Sequence, residues 1–200
     1  MSKSKQKKCA DCRLFLHICV CNLMQPFLTK TRVSLVIHKS EFNKTSNTGR
    51  IVHSLLENSK INIFGEKDKP LQVGDFWQED YSNIMLYPAS QLTIDHLAPQ
   101  EKPVNLIVPD GNWGQARTIV KKIQTLLPIV AVGIPLGIPS EYVLRVHPDP
   151  EKICTIEAIY RALCVFEKDV PLHPLMDMFR IVRDRLLWKG GARKAPDPSV

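Results

Sequence analysis

The run Val104-Asn105-Leu106-Ile107-Val108 stops at Pro109-Asp110-Gly111 and gives way to Asn112-Trp113-Gly114-Gln115-Ala116-Arg117. A short run that is apolar except for Asn105 reads as a strand. Beyond the turn, Trp113, Ala116, Val120, Ile123 and Leu127 fall three or four apart and trace one stripe of a helix. Asn112 with Gln115 three residues later forms a capping box, which sets Asp110 and Gly111 just before the first turn, beside unpaired backbone donors. In α/β proteins ligands bind at this end of the strands. Taken alone, the same residues also describe a cap on an ordinary packed helix.

The rest of the chain alternates in the same way. Thr31 to His38 reads as a strand with Val33, Leu35 and Ile37 on one face, and Thr48 to Asn58 as a helix with Ile51, Val52, Leu55 and Leu56 inward. Further strands are expected at Ile61 to Phe64, Asn83 to Tyr87, Ile129 to Ile134 and Tyr142 to Val146. Helices are expected at Thr155 to Phe166, with Cys164 on its apolar face, and at Leu175 to Trp188. The fold class is α/β with a mostly parallel sheet. The expected organisation is a basic tail and cysteine element over 1–28, an α/β domain over 29–190 and a flexible tail over 191–200. Neither Gly-x-Gly-x-x-Gly nor a Walker lysine loop occurs, which argues against a Rossmann dinucleotide or nucleoside triphosphate site.

Four of the six cysteines fall within thirteen residues, as Cys9-x2-Cys12 and Cys19-x-Cys21. Two such knuckles suit one tetrahedral metal ion, a closed structural zinc site, better than a disulfide framework. The second knuckle is tighter than the usual two-residue spacing, and His17 reads as a surface neighbour. Lys3 to Lys8 followed by Leu14 to Val20 imitates a signal peptide, but the apolar part is short, broken by His17 and lacks a small-residue cleavage site. No apolar run approaches the ~20 residues a bilayer demands. The expected location is the cytoplasm.

The net charge of +7 points to a polyanionic partner. Up to Arg50 the only acids are Asp11 and Glu41, the middle carries Glu66, Asp68, Asp75, Glu79, Asp80 and Asp95, and the basic side chains return at Arg180, Arg183, Arg185 and Lys189. Two basic ends could together follow a phosphate backbone, although charge runs of this kind are often only solvated surface.

Asp110-Gly111-x-Trp113-x-x-Ala116-Arg117 resembles the signature of the DTW-domain family, the tRNA-uridine aminocarboxypropyltransferases. Cys9 to Cys21 is similar to that family's cysteine cluster, Asn47-Thr48-Gly49-Arg50 to its Asn-Thr-Gly-Arg element, and Tyr142-Val143-Leu144-Arg145 with Cys154-Thr155-Ile156-Glu157-Ala158 to its closing pair. Asn112 stands where the family usually has threonine; asparagine also caps helices well. The resemblance implies a SPOUT-like α/β domain with a C-terminal trefoil knot around S-adenosylmethionine. It also implies transfer of the donor's 3-amino-3-carboxypropyl group to ring nitrogen 3 of a uridine in tRNA, with release of methylthioadenosine. Asp110 is then the candidate base, or the group that orients the imide: a helix start weakens a carboxylate as a base, whereas burial strengthens it.

The donor would be surrounded by Gly111, Asn112, Trp113, Pro135, Leu136, Tyr142, Leu144, Arg145, Cys154, Thr155, Glu157 and Ala158. The RNA would meet Lys39, Lys44, Asn47, Thr48, Gly49, Arg50, Arg117 and Lys121, with Arg50 also suited to an anion such as the donor's carboxylate. Two readings from other classes stay open at this level. A SPOUT-type RNA methyltransferase would share the pocket, and a zinc-knuckle RNA-binding protein without catalysis would need only the cysteines and the basic ends.

Overall fold

The computed structural model describes residues 7–87, 92–135, 139–144 and 153–189. Strands β1 (Arg32–His38), β2 (Ser59–Phe64), β3 (Ser82–Leu86), β4 (Val104–Asp110) and β5 (Ala131–Val132) form one sheet in the order β2-β1-β4-β3-β5, with every neighbouring pair parallel. The helices are α1 (Lys39–Phe42), α2 (Gly49–Leu55), α3 (Val73–Phe76), α4 (Trp113–Leu126), α5 (Thr155–Phe166) and α6 (His173–Lys189).

The alternation of side chains along a strand decides which helices each face receives. Val33, Leu35 and Ile37 of β1 join Val104, Leu106 and Val108 of β4 in one core with α2, α5 and α6. Val36, Met85 and Ile107 point the other way and meet Phe76 of α3 and Ala116, Ile119, Val120 and Ile123 of α4. Because both faces are covered, the two central strands are buried almost throughout, as their apolar run requires. The cysteine segment belongs to the first of these cores: Leu14, Ile18 and Val20 are buried beside Phe179 and Val182 of α6.

One polar set interrupts the second face. Asn105, fully buried, accepts from the Ser34 hydroxyl at 2.7 Å and donates to the Phe76 carbonyl and to Asn83 Oδ1, each at 2.7 Å. The break in the apolar run of β4 is thus a fully bonded amide that ties β1, β3 and α3 to the middle of the sheet.

Several expected elements differ. The strand expected at Ile129 to Ile134 shortens to Ala131–Val132, and the four-residue helices α1 and α3 are too short for a periodic signal. Among the described residues Tyr142, Val143 and Leu144 are irregular rather than strand. The backbone N–H of Glu141 donates to Glu157 Oε1 and that of Tyr142 to Ser140 Oγ, so neither is left for a ladder. Trp113 is only half-buried and the stripe of α4 begins at Ala116, while Cys164 is exposed because α5 buries Ile156, Ile159, Ala162 and Leu163 instead.

From β1 the chain leaves through α1 and α2 to β2 on one side; from β4 it leaves through α4 to β5 on the other. Adjacent parallel strands whose connections diverge leave a crevice beyond their carboxyl ends. In the β1–β4 register Ile37 pairs with Asp110, which therefore stands at that point.

Replacing the buried amide with an apolar isostere tests the polar set. Asn105→Leu strands the Ser34 hydroxyl and the Phe76 carbonyl, and should lower the free energy of urea unfolding by about 2–4 kcal/mol. A loss within error of zero would show that these groups find other partners.

Candidate active site

Asp110 closes β4 in the same parity as Val108, so its side chain turns to the face covered by α2 and α5 rather than to α4. It is 5 % exposed. The expected position beside the first turn of α4 is therefore corrected for the carboxylate: Asn112 and Gln115 occupy that turn themselves, in a complete capping box. Gln115 Nε2 also donates to Ser40 Oγ at 2.8 Å, joining the start of α4 to α1.

The carboxylate is held from two sides. Asn47 Nδ2 donates to Oδ2 at 2.7 Å, and the Thr155 hydroxyl donates to Oδ1 at 2.8 Å. Gly49 lies against the same group, and a Cβ there would sit 2.5 Å from Asp110 Oδ2. Thr48 Oγ1 accepts from the backbone N–H of Ile156 at 3.3 Å, which locks the start of α2 to the start of α5. The segments Asn47–Arg50, Asp110 and Thr155–Glu157, distant in sequence, meet at one buried acid.

The second acid, Glu157, is spent on the loop ahead of it. Oε2 accepts from the Ser140 hydroxyl at 2.6 Å and from the Cys154 N–H at 2.9 Å, and Oε1 accepts from the Glu141 N–H at 2.6 Å. It therefore does more than cap α5. The held loop sends the Tyr142 hydroxyl to the Ser46 carbonyl at 3.1 Å and stacks the Tyr142 ring on Phe179. Desolvation, and then the Glu157 carboxylate, push the Cys154 thiol well above its ordinary range.

Glu141 was not singled out by any sequence pattern. Arg180 donates to it through Nε and Nη2 at 2.9 and 2.8 Å, Arg183 Nη1 adds a bond of 3.1 Å, and the Arg180 pair first of all holds the Glu141 carboxyl below its usual range. These two arginines clamp the loop to α6.

Four thiols form the other centre. Cys9 and Cys21 Sγ lie 3.6 Å apart, as do those of Cys12 and Cys19, and all four lie within 4.8 Å of one another. Sulfurs bound tetrahedrally to zinc at ~2.3 Å stand about 3.8 Å apart, so the set fits. Backbone N–H groups of Asp11 and Cys12 lower the Cys9 thiol to about 7, whereas burial raises Cys19 and Cys21. Arg13, which follows Asp11 and Cys12, is in the left-handed region at φ 58°. His17 is exposed, between the rings of Phe15 and Trp188, outside the cluster.

The other sequence-based site residues divide. Asn47, Thr48 and Arg50 are buried and turned inward, and the Arg50 guanidinium donates to the carbonyls of Phe42, Asp11 and Cys12. Lys39, Arg117 and Lys121 are exposed, and Lys44 is paired with the buried Glu41 at 2.5 Å. Gly111 and Ala158 are half-buried near the junction and the start of α5, while Pro135 is exposed. Leu144 is half-buried in the loop; Leu136 and Arg145 lie outside the described residues.

Among curated proteins, the chain is similar to tRNA-uridine aminocarboxypropyltransferase 2 of Macaca fascicularis, 25% identical over 175 residues that make up 82% of this chain and 58% of that one. It is also similar to the protein of the same name in Drosophila melanogaster, 23% identical over 176 residues, 82% of this chain and 68% of that one. The chain thus spans 58% of the first relative's length. Among solved structures it is similar to the SAM-dependent rRNA:acp-transferase Tsr3 from Vulcanisaeta distributa, with a TM-score of 0.43, 12% identity and coverage of 80% of this chain and 79% of that one. The model of the DTW domain matches residues 6–187, nearly the whole span from the cysteine cluster to the end of α6, and the chain belongs to the DTW domain family.

Proposed function

We propose that this protein is a tRNA-uridine aminocarboxypropyltransferase, moving the 3-amino-3-carboxypropyl group of S-adenosylmethionine to ring nitrogen 3 of a uridine. The observation that carries this reading is the meeting of Asn47, Thr155 and Gly49 around the buried Asp110 carboxylate, at the switch point of the sheet. Family membership and the names of the relatives support it. A SPOUT-like domain with a C-terminal trefoil knot is part of the same proposal.

When bound, S-adenosylmethionine supplies a sulfonium leaving group, so that a bond from the ring nitrogen to its γ-carbon forms as the carbon–sulfur bond breaks. What the chain must add is alignment and a sink for the imide proton. Asp110 is the proton acceptor in this scheme. Asn47 donates to one of its oxygens and Thr155 to the other, which fixes the plane of the carboxylate. Glu157 holds the loop that carries Tyr142 against the site. Gly111, Asn112, Trp113, Pro135, Leu136, Leu144, Arg145, Cys154 and Ala158 are proposed to line the donor. Lys39, Lys44, Arg117 and Lys121 are proposed as contacts to the RNA backbone, with Asn47, Thr48, Gly49 and Arg50 acting from behind the acid. The four thiols are proposed to hold a structural zinc ion. No helix among the described residues is long and apolar enough to cross a membrane.

Asp110→Asn keeps the shape of the side chain and removes the charge; methylthioadenosine release with tRNA should fall about 10²–10⁴-fold while circular dichroism is unchanged. Turnover at the native rate removes Asp110 from the chemistry, and S-adenosylhomocysteine as the product would mean methyl transfer instead. Gly49→Ala drives a methyl group into the carboxylate and should cost at least about tenfold in turnover with the melting temperature lowered by only a few degrees. Unchanged kinetics would show that Asp110 has room to move. Metal analysis of protein purified under reducing conditions should give one zinc per chain, and a metal-free preparation with native activity would reduce the cluster to free thiols.

A further inference from the structure

A continuous path of hydrogen bonds leads from the cysteine turn to the site. Arg50 is 6 % exposed, and its guanidinium donates to the carbonyls of Phe42 at 3.0 Å, of Asp11 at 3.5 Å and of Cys12. Two of these three acceptors lie within the Cys9–Cys12 knuckle itself. The backbone N–H of the same arginine donates to Asn47 Oδ1 at 3.0 Å, and Asn47 Nδ2 donates to Asp110 Oδ2 at 2.7 Å. The Asn47 amide is thus engaged at both ends and cannot turn to keep one bond when the other moves.

The burial of this cation gives the path its consequence. A buried guanidinium must keep its acceptors, so it follows the carbonyls of the knuckle where they go. Four thiols drawn onto one ion fix those carbonyls, and without an ion the turn lacks that cross-link.

We propose that Arg50 is a positioning residue that couples metal occupancy of the four-cysteine cluster to the orientation of Asp110, through Asn47. The arginine then serves neither RNA nor the donor directly. The coupling is a property of the hydrogen-bond path; only its effect on donor binding rests on the function proposed above.

The test uses the full chain labelled with nitrogen-15, the side-chain amides of Asn47 and Asn105 followed by NMR while zinc is stripped with a chelator under reducing conditions. Asn47 should shift and Asn105, bonded within the other face, should stay. In Arg50→Met, with folding checked by circular dichroism, Asn47 should already sit at its stripped position and no longer respond. Arg50→Lys, which keeps the charge but not the fork of donors, should respond only partly. Zinc affinity in Arg50→Met, read by competition with a chromophoric chelator, should fall roughly 10–100-fold, as for other partners just outside a ligand set. By calorimetry, stripping should weaken S-adenosylmethionine binding about tenfold or more in the native chain and not in Arg50→Met.

An Asn47 amide unmoved by stripping in the native chain overturns the proposal, with or without a folded variant. So does an Arg50→Met protein that keeps the native response. Simultaneous collapse of the Asn105 signal overturns it in favour of a metal that only holds the fold. If the loaded native chain fails to bind S-adenosylmethionine, the proposed function fails, and the amide shifts still decide the coupling.

Discussion

A carboxylate buried at the end of a parallel strand sets the terms for the rest of the molecule. Taken out of water without donors, such a group is too costly for a marginally stable domain to tolerate. Asp110 obtains its donors from Asn47, 63 residues earlier, and Thr155, 45 residues later. Both must arrive on one face of β4, which is why the starts of α2 and α5 converge there and why Thr48 is bonded directly to the backbone of Ile156. The same approach explains Gly49, where any side chain would meet the acid. The convergence of helix starts at the switch point of the sheet is therefore the structural cost of one charged group.

The two acids of the site are handled in opposite ways. Asp110 is held by side chains from two distant helix starts, Asn47 and Thr155, whereas Glu157 takes donors from Ser140, Glu141 and Cys154 and serves to shape the loop of Tyr142. Glu141 extends the same loop to α6 through Arg180 and Arg183. Partly exposed pairs of this kind contribute little to global stability. Their effect is geometric: they leave the 139–142 loop fixed from behind by α5 and from the outside by α6.

What could be read from the sequence was whatever depends on near neighbours. The capping box of Asn112 and Gln115, the alternation in β1 and the paired cysteine spacing each encode a local geometry, and each is found in the structure. What could not be read depends on partners that arrive through the fold. Arg50 beside a glycine looks like an anion contact until the knuckle carbonyls are seen around it. Tyr142 to Leu144 has the composition of a strand, yet the N–H groups of Glu141 and Tyr142 are taken by Glu157 and Ser140. Trp113 and Cys164 sit at helical spacing on apolar stripes, but the buried sector of each helix is narrower than the stripe. Asp110 itself was identified, while the face it turns to follows from counting β4 in twos from Val104, a parity that the attraction of the α4 start obscured.

The same tertiary accounting changes what the positive charge means. Arg50 is consumed by carbonyls, Arg180 and Arg183 by Glu141 and neighbouring acids, and Arg185 by the carbonyl of Cys19. Lys44 is set on Glu41. Among the described residues these cations already have partners, whereas Lys39, Arg117 and Lys121 are exposed. Lys39 opens α1 directly beyond the carboxyl end of β1, and Arg117 and Lys121 lie one turn apart on the exposed side of α4, which Gln115 ties to α1. All three belong to the elements that leave the carboxyl edge of the sheet where Asp110 stands. A polyanion drawn to that edge would be brought to the acid by a few charges rather than by two basic ends, and its binding would fall less steeply with salt than the net charge suggests.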